Sequence, residues 1–271
     1  MIELCNFHTH TSYCDGKLTP EEMVEAAIAR GCVALGFSGH SYTPFDLEYC
    51  MTREEIRMYI DEVNRLKEKY AGVIEIYLGI EQDYMSDDKP VGYDFVIGSA
   101  HYLSKDGEVF TIDAGIDDQR SVVDKYYGGD YYALAEDYFA VAANIATTFN
   151  VDIIGHFDLI AKYNINNSLF DETHPRYVTA ALSAMERLLE NCKLFEVNTG
   201  AMYKVGRSQP YPPFFLLEEL QKRGGEVILS SDSHDAQSIC FAFREMEERL
   251  KECGFRYVKR LSATGFVDVE L

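Results

Sequence analysis

The chain contains seven histidines, and six of them stand at or just past the end of a short apolar run. His8 and His10 close the first run, in Asn6-Phe-His-Thr-His, and His40 closes the second, in Phe37-Ser-Gly-His. His101 ends Ile97-Gly-Ser-Ala-His, His156 ends Ile153-Ile-Gly-His, and His234 ends Leu229-Ser-Ser-Asp-Ser-His. A carboxylate, Glu81, ends the third run, in Leu78-Gly-Ile-Glu-Gln-Asp. A lone histidine at such a place is ordinarily a hydrogen-bonded or surface residue. Together, His8, His10, His40, Glu81, His101, His156, Asp232 and His234 would crowd imidazoles and carboxylates onto one rim. Imidazole with carboxylate is the ligand chemistry of zinc, manganese and ferrous iron. His-x-His and Asp-x-His on extended backbone put both side chains on one face. With Asp15 added from the first loop, the donors exceed what one tetrahedral ion takes and suit two or three ions. His174 differs: it follows Thr173 at a helix start, and a structural or solvent-facing role is expected.

Strands alternating with helices must supply that rim. Strands are predicted over Leu4–His8, Val33–Ser38, Val73–Gly79, Phe95–Ser99, Asp152–Gly155, Leu194–Val197 and Glu226–Leu229, with a terminal strand over Arg256–Lys259. The intervening helices include 19–30, which opens with a capping box: Thr19 with Glu22, and Pro20 in the first turn. Alternation of this kind predicts βαβ units and a parallel sheet. With seven or so units and no linker, the fold class is α/β, a (β/α) barrel whose chemistry lies at the C-terminal ends of its strands. Residues 102–130 form the longest stretch without a predicted element and read as an active-site loop.

Composition narrows the partners. Of 271 residues, 45 are acidic and 25 basic, a formal charge of −20. Such a surface repels nucleic-acid backbones and anionic lipid, so neither is an expected partner. No signal peptide or membrane span is apparent, and the seven cysteines form no Cys-x-x-Cys pair, so reduced thiols and a cytoplasmic location are expected.

His8-Thr-His10, Asp15, His40, Glu81, His101, His156 and Asp232-Ser-His234 resemble the nine-ligand signature of the polymerase-and-histidinol-phosphatase (PHP) superfamily. Gly155-His-Phe-Asp158, Glu196-Val-Asn198-Thr and Tyr211-Pro after a basic segment are similar to its monofunctional histidinol-phosphatase branch. The resemblance implies one distorted seven-stranded barrel domain over residues 1–271, holding three divalent ions (zinc, manganese or iron). His8, His10, Glu81 and Asp232 would hold the first, Glu81, His101 and His156 the second, and Asp15, His40 and His234 the third. It also implies hydrolysis of a small phosphate monoester, L-histidinol phosphate, by a metal-activated hydroxide. A nucleotide or sugar phosphate is the alternative substrate, and an exonuclease-like or non-catalytic metal-binding module a weaker one. Arg207, Lys162 and Lys204 are the expected phosphate contacts, with lysine at 162 where relatives often carry arginine. Asp15, Asp158 or a water would protonate the leaving oxygen. Asp113, Asp117 and Asp118, clustered in the long loop, are expected to meet the substrate ammonium.

Overall fold

The structure, a computed structural model, describes residues 2–271. Strand β1 (Leu4–Asn6) is followed by α1 (Pro20–Ala29), β2 (Cys32–Phe37), α2 (Arg53–Lys69), β3 (Glu75–Asp83) and β4 (Phe95–Ser99). A hairpin of β5 (Tyr102–Lys105) and β6 (Glu108–Thr111) leads into α3 (Ile116–Tyr127), α4 (Tyr131–Ala142) and α5 (Ile145–Thr148). The chain returns at β7 (Ile153–Ile154) and continues through α6 (Pro175–Leu189), β8 (Leu194–Asn198), α7 (Gly200–Lys204), α8 (Phe214–Lys222) and β9 (Glu226–Ser230). It ends with α9 (Phe243–Glu252) and the hairpin of β10 (Tyr257–Ser262) and β11 (Gly265–Glu270).

Seven strands form one parallel sheet in the order β1-β2-β3-β4-β7-β8-β9. Its two edges meet just beyond β1 and β9, where His10 N–H donates to Ser233 O (2.8 Å) and Ser233 N–H to His8 O (3.0 Å). The result is a nearly closed barrel. Strand side chains alternate between two faces. One set, including Phe7, Ala34, Phe95, Ile97, Ile153, Leu194 and Ile228, forms an inner core, while neighbours such as Leu35, Ile76, Val96 and Val227 pack under the helices. Gly36 and Gly79 make room for Phe95: a Cβ there would come within 2.8 and 2.3 Å of its ring. Along the same face the residues turn polar toward the C-terminal ends, as Glu81, Ser99, Glu196 and Ser230, all buried.

Two expectations are corrected. Residues 102–130 are not an irregular loop but a hairpin and a helix. The turn Asp106-Gly107, with φ of 53° and 81°, is the two-residue type that closes right-twisted hairpins. The segment 256–259 is not a barrel strand; it pairs antiparallel with β11, and the hairpin carries Leu261 into the inner core. The capping box of α1 is present as expected. His174 is the N-cap of α6: its ring Nδ1 accepts from Arg176 N–H, and the ring stacks on Tyr132 at 4.0 Å. Among the described residues, no helix is long and apolar enough to cross a membrane.

Candidate metal centre

The barrel brings all nine expected ligands to its C-terminal mouth. His8 and His10 lie just past β1, His40 past β2, Glu81 within β3, His101 past β4, His156 past β7, and Asp232 and His234 past β9. Four sets have ligand atoms within 4.8 Å of one another: His10–Asp15–His40–His234, His8–Glu81–His156, His8–His10–Asp232 and His40–Glu81–His101. Glu81 joins two sides. Its Oε1 faces His156 Nε2 (2.8 Å) and His101 Nε2 (3.4 Å), while Oε2 faces His40 Nδ1 (3.0 Å), His8 Nε2 (3.3 Å) and His10 Nε2 (3.5 Å). Asp15 reaches His234 Nε2 (2.8 Å) and His10 Nδ1 (3.2 Å), and Asp232 reaches His10 Nε2 (3.3 Å). The sets differ from the expected partition: His8 falls with His156, and His101 with His40, around the shared Glu81, while His10 stands both with His8 and Asp232 and with Asp15, His40 and His234.

The chemistry of this donor set fits divalent cations. Nε2 of His8 and Nε2 of His10 face each other at 3.1 Å, where one proton at most can lie between them. Glu81 Oε2, Asp15 Oδ1 and His156 Nδ1 are buried and make no hydrogen bond; the imidazole nitrogens close to the two carboxylate oxygens are not oriented to form one. Polar atoms buried and unpaired in this way are costly, so several at one place mark a cation site. Protonation points the same way. Burial opposes charging His8, yet Glu196, Glu81 and Asp232 outweigh it and hold its pKa up at about 10. His10 and His40 are also raised well above the usual range against the opposing effect of burial, by Asp15 for both and by Asp232 and Glu81 respectively. His234 goes the other way, to about 4, through burial, Lys204 and His10. The carboxylates draw positive charge into the cluster, and bound divalent ions would meet that demand more fully than protons.

Two carboxylates outside the nine-ligand set hold these rings. Glu196 Oε1 accepts from His8 Nδ1 (2.7 Å) and Ser230 Oγ (2.7 Å); Oε2 accepts from His156 N–H (3.0 Å) and Asn198 Nδ2 (3.0 Å). Asp83 Oδ2 accepts from His101 N–H (2.9 Å) and its Nδ1 (3.1 Å). Carboxylates behind ligating imidazoles fix the tautomer and ring orientation. A charged residue amid the apolar run of β8 and the Glu-x-Asp alternation of β3 were the available signals.

A cavity of about 170 Å³ opens above the cluster, bordered by Lys162, Lys204, Asp46, Asp113 and the rings of Tyr49, Tyr102, Tyr163 and Tyr211. Lys204 Nζ lies 3.4 Å from Asp232 Oδ1. Lys162 Nζ pairs with Asp113 Oδ2 (2.9 Å) and donates to Asp113 O (3.0 Å). Four of the remaining expectations do not border this cavity. The Arg207 guanidinium is buried against Glu172 (3.1 Å) and donates to Ala161 O, so a direct phosphate contact is withdrawn for it. Asp158 is fully buried, near Tyr177 OH (3.3 Å), and burial pushes its pKa up to about 7. Asp117 and Asp118 are exposed in the first turn of α3, where acids favour the helix dipole, and Asp117 pairs with Arg120.

A Deinococcus radiodurans protein named "Probable histidinol-phosphatase" is 29% identical over 95% of this chain and 96% of its own. A Bacillus subtilis "Histidinol-phosphatase" is 23% identical over 89% and 97%. The crystal structure of histidinol phosphate phosphatase from Lactococcus lactis, complexed with zinc, L-histidinol and phosphate, superposes with a TM-score of 0.73 at 21% identity, covering 98% of this chain and 100% of that one. The PHP domain matches residues 6–200, a span that runs from the end of β1 through β8 and holds seven of the nine clustered ligands, and the chain belongs to the PHP domain family.

Proposed function

We propose that this protein is a metal-dependent phosphate monoester hydrolase acting on L-histidinol phosphate. The observation that carries the reading is the convergence of nine imidazole and carboxylate ligands under a cavity walled by Lys162 and Lys204. The substrate follows from the relatives, several named histidinol-phosphatase along nearly their whole length. Zinc, which the Lactococcus structure contains, manganese and ferrous iron all suit the donors.

Bound divalent ions would supply hydroxide near neutral pH and neutralise phosphoryl oxygens. The chain's own residues do the rest. With ions bound, Glu196 would keep the remaining proton of His8 on Nδ1 and leave Nε2, on the side of Glu81 and Asp232, to serve as a ligand. Lys204 and Lys162 bring ammonium groups to the cavity, where they offset charge on the phosphoryl group as point charges. Asp46 and Asp113 offer carboxylates to the substrate ammonium, and the tyrosines offer faces to its imidazole. Asp15 borders the cavity and Asp158 does not, which favours Asp15 for handling the leaving-group proton.

The test is phosphate release from L-histidinol phosphate by protein reconstituted with zinc, manganese or ferrous ion. A kcat/KM above about 10⁴ M⁻¹s⁻¹, well beyond values for p-nitrophenyl phosphate, nucleotides and sugar phosphates, is expected. Slow and unselective turnover would move the substrate to another small phosphate. No turnover with any metal would remove the hydrolase reading.

A further inference from the structure

A second cluster of reactive side chains lies outside the metal centre, on the helix-covered side of the barrel seam. The sulfurs of Cys32, the first residue of β2, and Cys240, in the turn between β9 and α9, are 3.5 Å apart. The other five thiols find different surroundings: Cys14 meets His10, Cys50 meets Tyr102, Cys192 and Cys253 meet backbone carbonyls, and Cys5 belongs to the inner core. All seven are unpaired covalently.

The turn that carries Cys240 is held in place rather than loose. Arg30, at the end of α1, donates to Ala236 O (2.9 Å) and Gln237 O (2.7 Å). Cys240 N–H donates to Ser231 Oγ (3.0 Å), and Phe241 O accepts from Thr199 Oγ1 (2.9 Å). Cys240 and Ala242 both adopt left-handed backbone, with φ of 55° and 57°, a conformation that costs energy for residues with a Cβ. The strained turn sets Cys240 against Cys32, and Cys240 is partly open to solvent. A disulfide needs sulfurs at about 2.05 Å, so closure takes about 1.5 Å of travel, within reach of side-chain rotation at an accessible cysteine.

We propose that Cys32 and Cys240 are a redox-active dithiol that closes to a disulfide when the protein meets a peroxide. One of the two sulfurs attacks hydrogen peroxide, is oxidised to the sulfenic acid, and one water leaves. The other then attacks that sulfur, the S–S bond forms, and the hydroxyl departs as a second water, so two electrons have passed from two thiols to one peroxide. Cys240 gives the pair its opening to solvent, and the Arg30 guanidinium favours the thiolate form of both sulfurs. Burial holds the neighbouring Cys5 thiol up at about 12, which leaves it unreactive. The bond would join β2 to the turn after Asp232 and His234, across a seam otherwise closed by few backbone hydrogen bonds.

The test is treatment of the full-length, zinc-loaded protein with a slight molar excess of hydrogen peroxide. Peptide mapping under non-reducing conditions and counting of free thiols in denaturant read the outcome. A Cys32–Cys240 linked peptide, loss of two of the seven thiols, and recovery of both with dithiothreitol are expected. Cys32→Ser and Cys240→Ser should each abolish the linked peptide, and Cys192→Ser should not. A different linkage, overoxidation without a link, or seven thiols remaining would overturn the proposal, and measurement on the unmutated protein alone is enough to do so.

Discussion

Replacing Glu196 with glutamine separates the role of the buried carboxylate from that of the ligands. The carboxylate accepts four hydrogen bonds, two on each oxygen. Glutamine keeps one oxygen and presents an NH₂ in place of the other. Toward His156 N–H and Asn198 Nδ2, that NH₂ would meet two donors: a backbone amide that cannot turn and an amide whose oxygen is already committed to Gly200 N–H (2.8 Å). Toward His8 and Ser230 the clash can be relieved, since Ser230 can rotate its hydroxyl and His8 can move its proton from Nδ1 to Nε2. That choice removes the Nε2 lone pair that faces Glu81 and Asp232. Either arrangement costs about 1–3 kcal/mol of stability for a mismatched buried polar group. The second also weakens metal binding by about 10–100-fold, the usual effect of losing a carboxylate behind a ligating histidine. Zinc competition against a chelator of known affinity, run beside thermal unfolding of the metal-free protein, measures both. Unchanged zinc affinity in folded Glu196→Gln protein would refute the assignment of Glu196 as a positioning residue.

Removing the metals should make stability strongly dependent on pH. His8 has a folded pKa of about 10 against an ordinary value of 6.5, so its contribution is complete below pH 6.5 and is lost as pH rises toward 10. His10 and His40 act in the same sense, and His234, whose lowered pKa costs stability only below about 6.5, does not bear on the alkaline range. Chelator-treated protein should therefore lose thermal stability from pH 7 to 9.5 more steeply than metal-loaded protein; parallel profiles would contradict this. Asp113→Asn should change KM for L-histidinol phosphate because it unpairs Lys162 beside the cavity, whereas Asp117→Asn and Asp118→Asn should leave KM alone. Equal effects of the three in steady-state kinetics would show that helix α3 meets the substrate. Arg207→Ala leaves the buried Glu172 charge unpaired and should cost about 3–5 kcal/mol in denaturant unfolding. A fall in substrate affinity without that loss would restore Arg207 to the phosphate site.

The sequence alone determined the barrel class and the nine clustered side chains, because both depend on local order. Alternating apolar runs and capped helices specify parallel βαβ units, and a strand's C-terminal end is known once the strand is known. His8, His10, His40, His101, His156 and His234 could therefore be placed on one rim without any contact being seen. The tertiary structure decided what each polar group faces. Arg207 and Asp158 sit near the mouth in sequence, but the short turns 159–161 and 165–167 bury them behind its wall, with Glu172 and Tyr177. Asp113 and Asp117 are four residues apart, yet one pairs with Lys162 beside the cavity and the other begins an exposed helix. The supporting role of Glu196 and Asp83 was not legible because a carboxylate that holds a ligand is set by packing across strands 40 and 18 residues apart in the chain. The same holds for Cys32 and Cys240, which are 208 residues apart and meet only because the barrel closes. Ligand identity follows from residue type and local position, whereas partnership between distant side chains exists only once the chain is folded.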